Sequence, residues 1–172
     1  MGLLKIVISI SIVCLTGYIG YLKALKLKKR EYILREMVTF LNLVKNEIKY
    51  MLNLLPNVYE TSRQKLTTDL KVVIGQIVVD MLTFDNLSFV DKSIVDNVSK
   101  LDELTDYDKN IFISTLKNLG RSDVDGQINI IDNTIAILEN QIKEANEIKN
   151  SNSKVYKTVG TIAGLMIVII FI

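Results

Sequence analysis

The sequence predicts an all-α protein: a cytoplasmic antiparallel helical bundle of about six helices, flanked by an N-terminal and a C-terminal transmembrane helix. Three observations predict it. Both ends of the chain are long apolar runs almost free of charge. Between them, apolar residues recur at spacings of three and four, the period of one helix face. A chain of 172 residues with 49% hydrophobic content also holds a single proline, which leaves long helices unbroken. The expected division is a first span over 1–22, a bundle domain over 23–154 and a second span over 155–172.

The first element, GLLKIVISISIVCLTGYIGYL from Gly2 to Leu22, carries one charge, Lys5. At helical rise it measures roughly 31 Å, enough to cross the hydrocarbon core. A cleaved signal peptide is the alternative, since Lys5 resembles a short positive leader region. Against it, LTGYIGYLKAL lacks a small-x-small cleavage pattern, and the helix continues beyond it. Ile33, Met37, Phe40, Val44, Ile48, Met51 and Leu55 then step by four and three along one face of a long helix, which Pro56 stops or kinks.

A short helix is expected over 58–66, and another over 68–84 with Thr67 or Thr68 as its N-cap. The β-branched run from Val72 to Val79 has the composition of a strand, but its length and helical flanks make it a buried helix. Ser88 is expected to cap a helix reaching Leu101, and Thr105 or Asp106 one ending at Leu119. Gly120 directly follows that helix, where glycine usually supplies a positive φ. Ser122 and Asp125 approximate a capping box, with Asp123 and Asp125 in a first turn that favours negative charge. Val124, Ile128, Ile131, Ile135, Leu138, Ile142 and Ala145 then mark one face of the next helix.

The chain ends on VYKTVGTIAGLMIVIIFI, Val155 to Ile172, about 27 Å of helix. Tyr156 suits the membrane interface and Lys157 can extend outwards. Gly160 and Gly164 form a GxxxG, which would admit a close helix neighbour such as the first span with Gly17 and Gly20. Incidental small residues in a membrane helix are the plainer reading of that pair. A water-soluble terminal helix would need a larger core than this chain supplies, because it is apolar on nearly every side.

Chemistry has few footholds. There is no histidine, the commonest general base. The one cysteine, Cys14, lies in the first apolar run and reads as a small hydrophobe. No GxxxxGK[ST] phosphate loop occurs, and a net charge of +2 does not call for nucleic acid. No cofactor, metal or small-molecule substrate is expected. The polar stretch LGRSDVDGQ, Leu119 to Gln127, might be a catalytic loop or a helix–helix corner. Ser122 has no partner base nearby in sequence, so the corner is preferred.

Orientation follows from charge. Lys23, Lys26, Lys28, Lys29, Arg30 and Arg35 crowd behind the first span, and Lys149, Lys154 and Lys157 approach the second. The positive-inside rule places the middle of the chain in the cytoplasm and both termini outside. Such a basic collar also adds an attraction to anionic membrane lipid.

From Leu119 onward the chain resembles the stage III sporulation protein AB family of endospore formers. Leu119, Gly120, Asp123, Gln127, Leu138, Ala145, Lys154, Lys157, Gly160 and Gly164 stand where that family has LGxxD…Q, L…A and K…K…G…G. Arg30, Arg35, Leu41, Val44, Glu47, Ile48 and Tyr50 fit its R…R…L…L..EI.Y pattern. The match departs after Tyr50, where the family usually continues with Gly and T-P-L but MLNLLPNV has no Gly, and it is weak over 61–109.

The resemblance implies similarity to the cytoplasmic helical domain of the inner-membrane platform protein of type II secretion and type IV pilus machines. It further implies a non-enzymatic place in the assembly joining mother cell and forespore, in the mother-cell membrane around the forespore. The expected partners are the sporulation secretion-type ATPase, stage III sporulation protein AA, and other membrane proteins of that assembly. A passive scaffold clustering partners through its helix faces is the alternative, and a membrane enzyme a third class. Between Asp85 and Lys109, Asp85, Asp91, Asp96, Asp102, Glu103, Asp106 and Asp108 outnumber Lys92, Lys100 and Lys109. Asp102, Glu103 and Asp108 are therefore the candidate ATPase-binding residues, against the plain reading of helix caps and a solvated face.

Overall fold

A computed structural model describes the backbone of residues 2–50, 53–84 and 86–171. Side chains are described over 25–50, 53–84 and 86–151, and at Leu15, Tyr18, Tyr21, Leu22, Thr158 and Ile162. Expectations resting on Met51 and Asp85, and on the side chains of Lys5, Cys14, Gly17, Gly20, Lys23, Lys154, Tyr156, Lys157, Gly160 and Gly164, lie outside the described residues. Among the described residues no helix is long and apolar enough to cross a membrane. The apolar runs that carry the span expectation are largely outside that description.

The described residues form six helices and no strand: α1 (Gly2–Tyr50), α2 (Leu55–Arg63), α3 (Leu70–Thr83), α4 (Leu87–Val98), α5 (Asp106–Asn118) and α6 (Val124–Phe171). Contacts divide the chain into two units. One is Glu31–Lys143; the other joins Met1–Arg30 with Glu144–Ile172.

In the first unit α2 packs on α3, α3 on α4 and α4 on α5. Ile33, Met37, Phe40, Val44 and Ile48 are all buried, so the three–four stripe of α1 faces the core. Phe40 is its centre, meeting the Tyr59 ring edge-on at 5.3 Å and the Phe112 ring at 6.2 Å. Tyr59 is fully buried, and its hydroxyl and that of Ser62 have no hydrogen-bond partner. Burial raises the Tyr59 phenol well above its ordinary pKa.

Pro56 opens α2 rather than ending α1, a first-turn position where its missing N–H costs nothing. The 70–83 segment is a helix, as its length suggests; β-branched residues yield to packing on α2 and α4. Two caps differ from expectation. Asn86, not Ser88, caps α4 by accepting from the Ser88 N–H. Thr67 and Thr68 chiefly serve another helix: Glu36 of α1 accepts both their N–H groups and both their hydroxyls, at 2.5–3.0 Å. Only the longer 3.3 Å bond from the Leu70 N–H to Thr68 Oγ1 resembles a cap.

On α6 the buried line is Ile131, Thr134 and Leu138, while Ile128, Ile135 and Ile142 sit at its edges. Thr134 is tolerated because its hydroxyl bonds Thr115 of α5 at 2.8 Å and the Ile130 carbonyl. Lys45 of α1 pairs with Asp132 of α6 at 2.6 Å. In the second unit Arg30 and Ala145 are buried.

Candidate functional site

The most elaborated local geometry lies between α5 and α6, and it is built from neighbours in sequence. Leu119 ends α5 buried in the core. Gly120 then takes φ +78, a left-handed conformation open to glycine at no steric cost. A Cβ there would also lie 2.5 Å from Leu55 Cδ1, so the end of that side chain would have to move as well.

The Gly120 N–H is not returned to α5. It donates to Gln127 Oε1 at 2.9 Å, and Gln127 Nε2 donates back to the Ser122 carbonyl at 3.0 Å. Asp123 is the cap of α6, its Oδ1 accepting from the Gly126 N–H at 2.9 Å. The box expected from Ser122 and Asp125 is therefore not formed. The helix begins one residue later, with Gly126 at the position that the box would need for a side-chain acceptor. Arg121 ties the corner to α4 through an ion pair with Asp91 at 2.6 Å.

Leu119, Gly120, Asp123 and Gln127 thus fall in one corner, in which Gly120 bonds Gln127, Asp123 caps α6, and no activated nucleophile is presented. Beside it lies a cavity of about 350 Å³ lined by Leu55, Phe84, Leu87, Ile94, Leu119 and Gly120. Its walls are mostly apolar, and the Asp91–Arg121 pair stands at its rim. Among the described residues no cluster of three metal-ligating side chains occurs.

The other candidate residues are dispersed. Arg35 forks onto Glu31 of its own helix at 2.8 and 3.0 Å and is more than half exposed. Glu47 accepts a long 3.4 Å bond from Asn53, and Tyr50 is exposed beneath the Lys49 ammonium. Asp102 is exposed and Glu103 half-buried. Asp108 is fully buried: it accepts from the Thr105 N–H while Thr105 accepts from the Asp108 N–H, a closed capping box. Its carboxylate is committed to starting α5 and does not stand at the surface, as its charge alone had suggested.

Two polar assemblies carry no local sequence signal. One is the Glu36 clamp, where burial works to raise the carboxyl pKa and the four bonds from Thr67 and Thr68 more than reverse it, leaving it below the ordinary value. The other joins α3 to α4, where the Ser93 hydroxyl donates to Asp80 at 2.5 Å and Asn97 donates back to Ser93.

The molecule is thus an all-helical bundle protein whose best-formed site is a structural corner. The chain belongs to the stage III sporulation protein AB family, whose model matches residues 5–172. It is a sporulation protein. No curated protein and no solved structure matches the chain.

Proposed function

We propose that this chain is a non-enzymatic platform component of the secretion-like complex between mother cell and forespore, coupling a cytoplasmic secretion-type ATPase to the membrane assembly. Family membership supports the sporulation role. One observation carries the platform role: α1 and α6 are single helices of 49 and 48 residues, each with an inner part in the bundle core and an outer end in an apolar run. Neither helix holds a proline, so each offers a continuous path along which force on the bundle is carried.

In this reading residues 1–22 and 155–172 are membrane spans and 23–154 form the cytoplasmic domain between them, in the mother-cell membrane around the forespore. Both termini lie outside. The ATPase supplies nucleotide chemistry, which nothing in this chain's sequence provides. Its movement displaces the bundle, and the two spans pass that displacement to the other membrane proteins of the complex.

The test uses the full chain in lipid nanodiscs with the purified sporulation ATPase, stage III sporulation protein AA. Coupling predicts association together with a saturable change in ATP turnover. Association with unchanged turnover would leave a passive scaffold, and no association would overturn the ATPase reading.

A further inference from the structure

The corner between α5 and α6 holds the chain's only Asp–Gly bond, Asp125–Gly126. An Asp–Gly bond is the aspartyl linkage most open to rearrangement, because a residue without a Cβ lets its backbone nitrogen approach the preceding carboxyl. Asp125 is exposed, so water reaches it. Glycine is also a poor helix former, yet Gly126 stands in the first turn of α6. The cap explains its presence. A Cβ at 126 would lie 2.7 Å from Asp123 Oδ1 and 3.0 Å from Ser122 Oγ, displacing the carboxylate that caps the helix. The corner thus keeps a glycine for its cap and, with it, a chemically weak bond behind an aspartate.

We infer that Asp125–Gly126 is a self-modification site, an isoaspartate-forming bond that the Asp123 cap holds shut. In the reaction the Gly126 nitrogen bonds to Asp125 Cγ, while the amide proton and the carboxyl hydroxyl leave together as water, closing a five-membered succinimide. Water then adds back to either carbonyl. Opening at Cγ restores aspartate; opening at the backbone carbonyl gives isoaspartate, with the main chain rerouted through Cβ and Cγ. One water leaves and one enters, so no other reactant is needed. Two features of the corner oppose the first step. Asp123 Oδ1 holds the Gly126 N–H at 2.9 Å. Helical backbone also turns the Asp125 side chain toward the N-terminus of α6, away from the attacking nitrogen. Rearrangement therefore proceeds from the opened turn, and a terminal turn is where opening costs least. Its product carries an extra backbone carbon, which the regular hydrogen-bonded turn of an α-helix does not accommodate. The start of α6 would move down the chain, and the bonds linking Gln127 to Gly120 and Ser122 would part.

The inference does not rest on the ATPase reading, and its readouts need no ATPase. The full chain in detergent is incubated at physiological pH and temperature and then digested with trypsin. The peptide that begins at Ser122 is separated into aspartyl and isoaspartyl forms, with isoaspartate confirmed by enzymatic methylation. A free peptide covering 121–128 sets the unconstrained rate. The folded chain should rearrange about tenfold more slowly than that peptide, or slower still. Asp123→Ala should accelerate it about fivefold, the change in open turn that a lost cap brings. Asp123→Asn keeps a capping acceptor and should stay within about twofold of wild type. Asp125→Glu should abolish the signal, since the larger ring closes far more slowly. Trypsin acting on the undenatured protein should cut after Arg121 faster in the isoaspartyl form. A folded chain that rearranges as fast as the peptide overturns the proposal, as does Asp123→Ala no faster than wild type. Asp123→Asn as fast as Asp123→Ala would also overturn it, because charge rather than the cap would then set the rate. Equal cutting of the two forms would overturn the predicted loss of the corner.

Discussion

Two short links carry comparable polar sequence, QKLTTD at 64–69 and GRSD at 120–123. The first is fastened by Glu36, a residue 31 and 32 positions away, through bonds to Thr67 and Thr68. The second is fastened mostly by itself: apart from the Arg121–Asp91 pair to α4, its bonds, Gly120 to Gln127, Gln127 to Ser122 and Gly126 to Asp123, close within seven residues. The corner's geometry is thus a property of a short segment, while the α2–α3 link is shaped only when α1 has packed. Local loops should tolerate changes elsewhere in the fold; clamped ones should fail with their distant partner.

Gly120→Val should give the largest loss. It forces a β-branched residue to positive φ and drives its Cβ into Leu55, for a cost of roughly 3 kcal/mol. Thermal melts of the full chain followed by circular dichroism measure it, and an unchanged midpoint would break the account of the corner. Glu36→Ala comes next at about 2 kcal/mol, the value of several bonds to a charged acceptor discounted for partial exposure.

The clamp also sets a pH dependence. The folded-state pKa of Glu36 lies below its ordinary 4.5, so its contribution is full above that value and is lost as pH falls through the folded value. Urea unfolding at pH 7 and pH 3 should therefore show wild type and Glu36→Gln converging at the lower pH. Equal separation at both would mean that the charge is not what holds the link.

Asp123→Ala should cost less, about 1 kcal/mol, because only one cap bond of α6 is lost. The smallest effect should be favourable. Tyr59→Phe removes a buried hydroxyl that has no partner and should stabilise by up to about 1 kcal/mol. A marked loss there would show that the hydroxyl is satisfied in solution.

The same contrast explains what the sequence revealed. The corner was legible because glycine, cap and helix start are neighbours; the error of one residue at its cap came from Ser122 and Asp123 both being competent caps. The α1 stripe was legible because burial follows period. The Glu36 clamp and the Ser93–Asp80 bond were not, since a carboxylate at the edge of an apolar stripe looks the same whether its partner is water or a distant threonine. Asp108 shows the converse: counted as surface charge, it is wholly buried, because capping boxes consume carboxylates that a charge tally treats as free.

The central claim is that the bundle hangs from a membrane by both ends, and topology tests it most directly. In a chain carrying Cys14→Ser, single cysteines Leu3→Cys and Ser88→Cys are exposed to an impermeant maleimide in intact cells. The account predicts labelling at Leu3→Cys, and labelling at Ser88→Cys only after lysis. Labelling at Ser88→Cys in intact cells with protection at Leu3→Cys would contradict it.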